Sequence, residues 1–154
     1  MITFEVKGLK EMGEQLRNLP EKLARRALAR AVFEGARVIR TEGRAKARVG
    51  TKTYKDWRGK THRPGLLKKS GVMAKKMKTR DWRTTVIYGV GFSKLGWYGR
   101  FVERGKSKKH KQARHPFIAP LLEERGQEAV DALKRRLGEE LGKIARETPG
   151  LVVK

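Results

Sequence analysis

The chain has 154 residues, no cysteine, and 39 Lys and Arg against 16 Asp and Glu, for a formal charge of +23. That length is about one domain's worth of chain, and without thiols there is no disulfide framework, thiol nucleophile or thiolate zinc site. The charge exceeds what solubility needs and implies a polyanionic neighbour, most simply nucleic acid.

The opening MITFEVKG alternates apolar Ile2, Phe4 and Val6 with polar neighbours, which predicts a short edge strand closed by Gly8. It lacks the basic and apolar regions of a secretion signal, and no apolar run reaches the roughly 18 residues of a membrane span, so synthesis in the cytoplasm is expected. A short helical turn follows around Leu9 to Leu16. Pro20 then stands where a first-turn proline belongs, and Leu23, Ala27, Leu28, Ala31, Val32 and Ile39 recur at helical spacing to about Ala47. This predicts a long amphipathic helix whose weak point is Gly35.

Val49 to Gly65, VGTKTYKDWRGKTHRPG, is rich in Gly, Thr and basic residues without a sustained period, and reads as an exposed loop. A turn or short helix at Leu66 to Lys69 precedes two strands, Val72 to Lys78 and Trp82 to Gly91. In the second, Trp82, Thr84, Val86 and Tyr88 share one face and Arg83, Thr85 and Ile87 the other. Thr79, Arg80 and Asp81 would join the two as a hairpin. WYGRFVERG fits a strand, with Tyr98 and Val102 on one side and Phe101 on another, as well as a helix that gathers Trp97, Phe101 and Arg104. Pro116 or Pro120 starts the last helix, in which Val130, Leu133, Leu137, Leu141 and Ile144 step by threes and fours. Residues 148–154 read as a flexible tail. The simplest assembly is a single α+β domain over 1–154, an antiparallel sheet of about three to four strands packed against the two long helices.

The charge is unevenly spread. Arg40 to Arg80 carries 15 basic and two acidic residues, and Arg100 to Arg114 seven and one, so 56 residues hold +19 of the +23. The pattern describes a nearly balanced scaffold displaying two basic segments. Lys52, Lys55, Arg58, Lys60, Arg63, Lys68 and Lys69 in the first, and Lys106, Lys108, Lys109, Lys111 and Arg114 in the second, are the candidates for contact with nucleic acid or another anionic partner. A solvated loop is the plain alternative for each.

No catalytic or cofactor motif is present. His62, His110 and His115 lie in basic sequence without metal-ligand spacing or neighbouring carboxylates, and Gly89 and Gly91 close a strand with no dinucleotide fingerprint around them. The helical acids stand in i,i+4 company with bases, as Glu139 does with Lys143, which describes a solvated face. Neither enzymatic activity, a cofactor nor a bound metal is expected.

The pattern Y-x-x-F-V-E-x-G, here Tyr98, Phe101, Val102, Glu103 and Gly105, is followed by Ala113, Arg114, Pro116, Phe117 and Pro120 in the arrangement A-R-x-P-F-x-x-P. It resembles the tail-completion, or head-tail joining, family of long-tailed bacteriophages. VKGLKEMGEQLRNLPEKLARRALARAV is similar to that family's opening strand and helix, and PGLLKKSG stands where the family has T-G-x-L-x-x-S, with Pro64 in place of the threonine. The enlarged basic loop at Val49 to Arg63 departs from the family pattern.

The resemblance implies a structural virion protein without catalytic residues. It would form a ring, commonly of six copies, in the neck between the portal connector of the head and the tail tube, assembled in the host cytoplasm and free of membrane. Tyr98, Phe101, Val102, Pro116 and Phe117 would be core or protomer-protomer packing. Glu103 would be partner to an arginine of a neighbouring subunit, or else exposed at a strand end. Basic loops lining the lumen would attract the phosphates of passing duplex DNA without reading sequence, or meet acidic connector or tail-terminator surfaces. A terminator or stopper ring of the same neck is an alternative. So is a free-standing, sequence-nonspecific nucleic-acid binder, with Tyr54 and Trp57 stacking on bases.

Overall fold

The computed structural model describes residues 9–50, 53–55, 59, 61–78, 85–94, 96–105 and 114–148. Its elements are α1 (Leu9–Arg17), α2 (Glu21–Lys46), β1 (Tyr54–Lys55), β2 (Thr61–His62), a single π-helical turn (Leu67–Gly71), β3 (Val72–Met77), β4 (Ile87–Phe92), α3 (Gly99–Arg104) and α4 (Leu121–Glu147). The expected strand over Ile2 to Val6 and the C-terminal tail beyond Thr148 lie outside the described residues, as does the whole of the Thr79–Asp81 connection.

Local chemistry accounts for the two long helices. The Pro20 carbonyl accepts the amides of Leu23 and Ala24 at 2.9 and 3.1 Å, so proline opens α2 without sacrificing a donor the helix needs. Glu21 sits in the first turn of α2 and Arg44 and Lys46 in its last. Helix α4 repeats the arrangement with Glu123 and Glu124 at its start and Arg146 at its end, and in both helices the charges oppose the helix dipole.

The fold is α+β. The four strands of the described residues form two separate two-stranded sheets, β1 with β2 and β3 with β4. Part of the basic segment read as a loop is therefore a small antiparallel ladder, in which Tyr54 pairs with His62 and Lys55 with Thr61. These strands are two residues long and carry no apolar alternation, so nothing in the period announces them. Ahead of and within β4 the alternation holds: Thr85 and Ile87 are exposed, Val86 and Tyr88 half-buried. The ambiguous WYGRFVERG segment is helical from Gly99 to Arg104.

The chain divides into two compact units, one drawn from the chain up to Val38, Lys75–Gly89 and Arg125 onward, the other from Ile39–Ala74 and Val90–Glu124. In the first, Leu19, Ala27, Ala31, Leu137, Leu141 and Ile144 form the core, joined by Met12, Leu16, Leu23, Ala24 and Leu133. Small residues line α2 here: Ala27, Ala31 and Gly35, four apart and all buried, make a shallow stripe that lets α4 approach closely. A β-carbon on Gly35 would stand 2.8 Å from the carbonyl oxygen of Ala129 and 3.6 Å from Cβ of Leu133.

Among the described residues of this unit, Glu140 of α4 is the buried charge, 3% exposed. Its Oε2 accepts Arg30 Nη1 at 2.6 Å. Its Oε1 faces Arg136 Nη2 at 2.8 Å, a charge contact without hydrogen-bond geometry, and Lys143 Nζ at 3.9 Å. Burial acts to raise the Glu140 pKa, but the Arg30 hydrogen bond and charge, with the charges of Arg136 and Lys143, outweigh it and hold the carboxyl below its ordinary value.

In the second unit, Ala47, Leu67, Val72 and Phe117 form the core, with Val90, Phe92, Tyr98, Val102 and Ile118 packed around it. Arg44 Nε donates to the Val72 carbonyl at 2.8 Å, and Lys46 pairs with Glu124.

Three outcomes are expected in urea denaturation. Alanine is the better helix former by about 1 kcal/mol, yet at Gly35 the obstructing atom is backbone and cannot swing away. Gly35→Ala should therefore lower stability by about 1–3 kcal/mol. Gly13→Ala, with nothing within 4 Å of the added carbon, should raise it by about 0.5–1 kcal/mol. For Glu140, the lowered native pKa means that the unfolded chain takes up the proton first as pH falls. Its contribution is complete above the ordinary carboxylate value of 4.5 and is lost as pH falls through the native value beneath it. Glu140→Gln should cost on the order of 1–3 kcal/mol near neutrality, and the difference from wild type should shrink as the denaturation is repeated from pH 6 down to pH 3.

Candidate assembly and nucleic-acid interface

The segment from Ser93 to Gly105 builds itself from short-range bonds. The Gly96 amide donates to both the carbonyl and the Oγ of Ser93, and the Gly99 amide to the Gly96 carbonyl at 2.8 Å. The helical period of α3 then sends Tyr98 and Val102, four residues apart, into the second unit's core. Phe101 is half-buried; Trp97 packs edge-on to it at 5.5 Å and 88°, and the Arg100 guanidinium lies 5.5 Å from its ring centre. Trp97 is 52% exposed, so its ring stands at the surface over the half-buried Phe101.

Gly105 ends α3 in the left-handed region at φ 72°, and its amide donates to the Phe101 carbonyl at 2.7 Å. A side chain is excluded twice over, because a β-carbon would also meet the backbone of Arg114 at 2.8 Å. That approach brings the two halves of the motif together: the His115 amide donates to the Val102 carbonyl at 2.9 Å, and Phe117, 6% exposed, sets its ring 5.8 Å from that of Phe92.

Glu103 is the ligand that secures this closure. Oε2 accepts the amides of Phe117 and Ile118 at 2.9 and 3.1 Å, and Oε1 those of Ile118 and Ala119 at 3.2 and 2.8 Å. Three successive N–H groups just ahead of α4 thus converge on one carboxylate, a charge-assisted cap supplied from a distance in sequence. Both oxygens of Glu103 are engaged by its own chain, and the side chain is half-buried on a helix where an exposed strand end was one expectation. The signal that could have found it is an absence. HPFIAPLLEE contains no Ser, Thr, Asp or Asn, so α4 begins without a local cap and its donors need an outside acceptor.

The other expected site residues fall into three groups. Tyr98, Val102 and Phe117 lie in or against the core, whereas Pro116 is exposed. Lys55, Arg63, Lys68, Lys69 and Arg114 are exposed and belong to the same compact unit. Lys52, Arg58, Lys60, Lys106, Lys108, Lys109 and Lys111 lie outside the described residues. Among the described residues, no three or more His, Cys, Asp or Glu side chains are placed to hold a metal ion, and no helix is long and apolar enough to cross a membrane.

No protein-family model, no curated protein and no solved structure matches the chain.

The cap predicts that Glu103→Ala lowers the stability of the isolated chain by about 2–3 kcal/mol, since it strips three amides of their acceptor. Glu103→Gln, which keeps one acceptor oxygen, should cost less. A side chain serving only a contact between subunits would leave the melting of a monomer unchanged in both variants.

Proposed function

We propose that this chain is a structural protein of a tailed-bacteriophage neck, forming a ring, of six copies in the family it resembles, that joins the portal connector of the head to the tail. The observation that carries this reading is the closure of the resembling motif on itself. Tyr98, Val102, Glu103 and Gly105 of one segment meet Phe117 of the next in one small framework, which leaves the exposed Trp97 ring packed on the half-buried Phe101. Large aromatics standing on a rigid base are the side chains that anchor protein interfaces. The exposed cations Lys55, Arg63, Lys68, Lys69 and Arg114 supply a surface for duplex DNA in the channel or for acidic faces of adjoining connector and tail-terminator proteins. In this reading the antiparallel sheet has three to four strands.

The protein is then a scaffold whose work is assembly: it positions an aromatic anchor and a basic surface, and performs no bond chemistry. Cryo-electron reconstruction of the particles that contain it should show a symmetric ring between capsid and tail. Phe101→Asp places a charge in the aromatic anchor. It should abolish incorporation into particles while the isolated chain keeps its helical circular dichroism; normal infectious particles with that change, or absence of the chain from the virion, would overturn the assignment.

A further inference from the structure

Lys22, Arg26, Arg30 and Phe33 are spaced four, four and three residues apart on α2 and so share one face of the helix. That face forms a wall of a cleft of about 740 Å³, completed by Lys76 of β3 and Tyr88 of β4. With Arg25, five basic side chains line it against a single carboxylate, Glu21. Lys22, Arg26, Arg30 and Lys76 are exposed, and Phe33 and Tyr88 are half-buried, their rings 5.4 Å apart and tilted by 54°. Arg30 is fixed in place by its 2.6 Å bond to Glu140.

Cations beside a pair of aromatic rings match a ligand that joins phosphates to a flat ring, which is the chemistry of a nucleotide. The volume lies within the roughly 300–1,000 Å³ of small-ligand clefts. A duplex keeps its bases stacked inside and offers phosphates on a convex surface, so it brings no base face into a concave cleft. A single strand does both, laying bases on aromatic side chains while a basic groove follows the backbone.

We propose that this cleft binds single-stranded nucleic acid, with a base against the Tyr88 and Phe33 rings and the neighbouring phosphates on Lys22, Arg26 and Lys76. The site goes beyond the neck reading and does not rest on it. A chain missing from virions would leave the cleft intact, and a ring in the neck would survive the loss of the cleft.

The test is fluorescence anisotropy of the purified full chain with a labelled oligothymidylate of about 12 nucleotides, inside the range of single-strand site sizes, beside a duplex of the same length. Tyr88→Ala should weaken the single strand by about tenfold or more and leave duplex binding nearly unchanged. The double exchange Arg26→Gln with Lys76→Gln changes only exposed side chains. It should reduce the slope of log affinity against log salt for the single strand by about 1.4, whereas Lys10→Gln with Arg135→Gln, two exposed cations away from the cleft lining, should leave that slope in place. If Tyr88→Ala fails to fold, the salt slope of the Arg26 and Lys76 exchange decides. An unchanged slope overturns the proposal, as does an equal loss of single-strand and duplex binding in Tyr88→Ala. Adenosine monophosphate competing as well as the oligonucleotide would replace the strand by a free nucleotide. Oligoglutamate competing equally well would reduce the cleft to a general polyanion surface.

Discussion

The contact of Gly35 with the carbonyl of Ala129 sets the terms for the first unit. Two helices of more than six turns approach this closely only where one of them offers almost no side chain, and α2 does so along Ala27, Ala31 and Gly35. Spending that face on small residues has two effects. The apolar bulk of the core falls to α4 and α1, through Leu133, Leu137, Leu141, Met12 and Leu16. The opposite face of α2 is left to carry Lys22, Arg26, Arg30 and Phe33 in a single row. Arg30 stands at the edge of that row, and its bond to the buried Glu140 ties the charged face to the packed one.

The second unit is organised by a different economy. Its core is small, four buried side chains with five half-buried ones around them, and the segments that build it are short. Polar bonds to backbone groups therefore do much of the positioning. Arg44 holds the start of β3, the His115 amide joins the Val102 carbonyl, and Glu103 gathers three amides at the approach to α4. A carboxylate accepting several backbone amides is both a strong cap and a directional one. It explains why a helix that starts in Pro-Leu-Leu, with no capping side chain of its own, begins where it does.

Charge is arranged on α2 in a way that counting along the chain conceals. The two basic segments hold most of the formal +23, yet the part of α2 ahead of Arg40 bears five basic residues against two acidic ones. Summed with the acidic stretches of α4, it looks like an ordinary balanced scaffold. On the helix surface the same residues separate: Glu34 pairs with Arg37, while Lys22, Arg26 and Arg30 align with the aromatic rings of Phe33 and Tyr88. Electrostatic potential follows proximity in space, and a window sliding along the sequence averages it away.

The sequence by itself determined the elements whose information is local. The spacing of Leu23, Ala27 and Ala31, the proline ahead of Glu21, and the recurrence of Leu133, Leu137, Leu141 and Ile144 suffice for α2 and α4, because helical hydrogen bonds join residues four apart and the apolar period records the buried face. The alternation up to Tyr88 marked β4 for a similar reason. Only the tertiary structure decided that WYGRFVERG is helical from Gly99 to Arg104, because its apolar residues satisfy both periods and it is packing against Leu67, Val72 and Phe117 that selects one. Only the tertiary structure turned Gly35 from a weak point into a requirement, and made Glu103 a cap for its own chain. In each case the partner lies far away in sequence, and no local pattern encodes the distance to it.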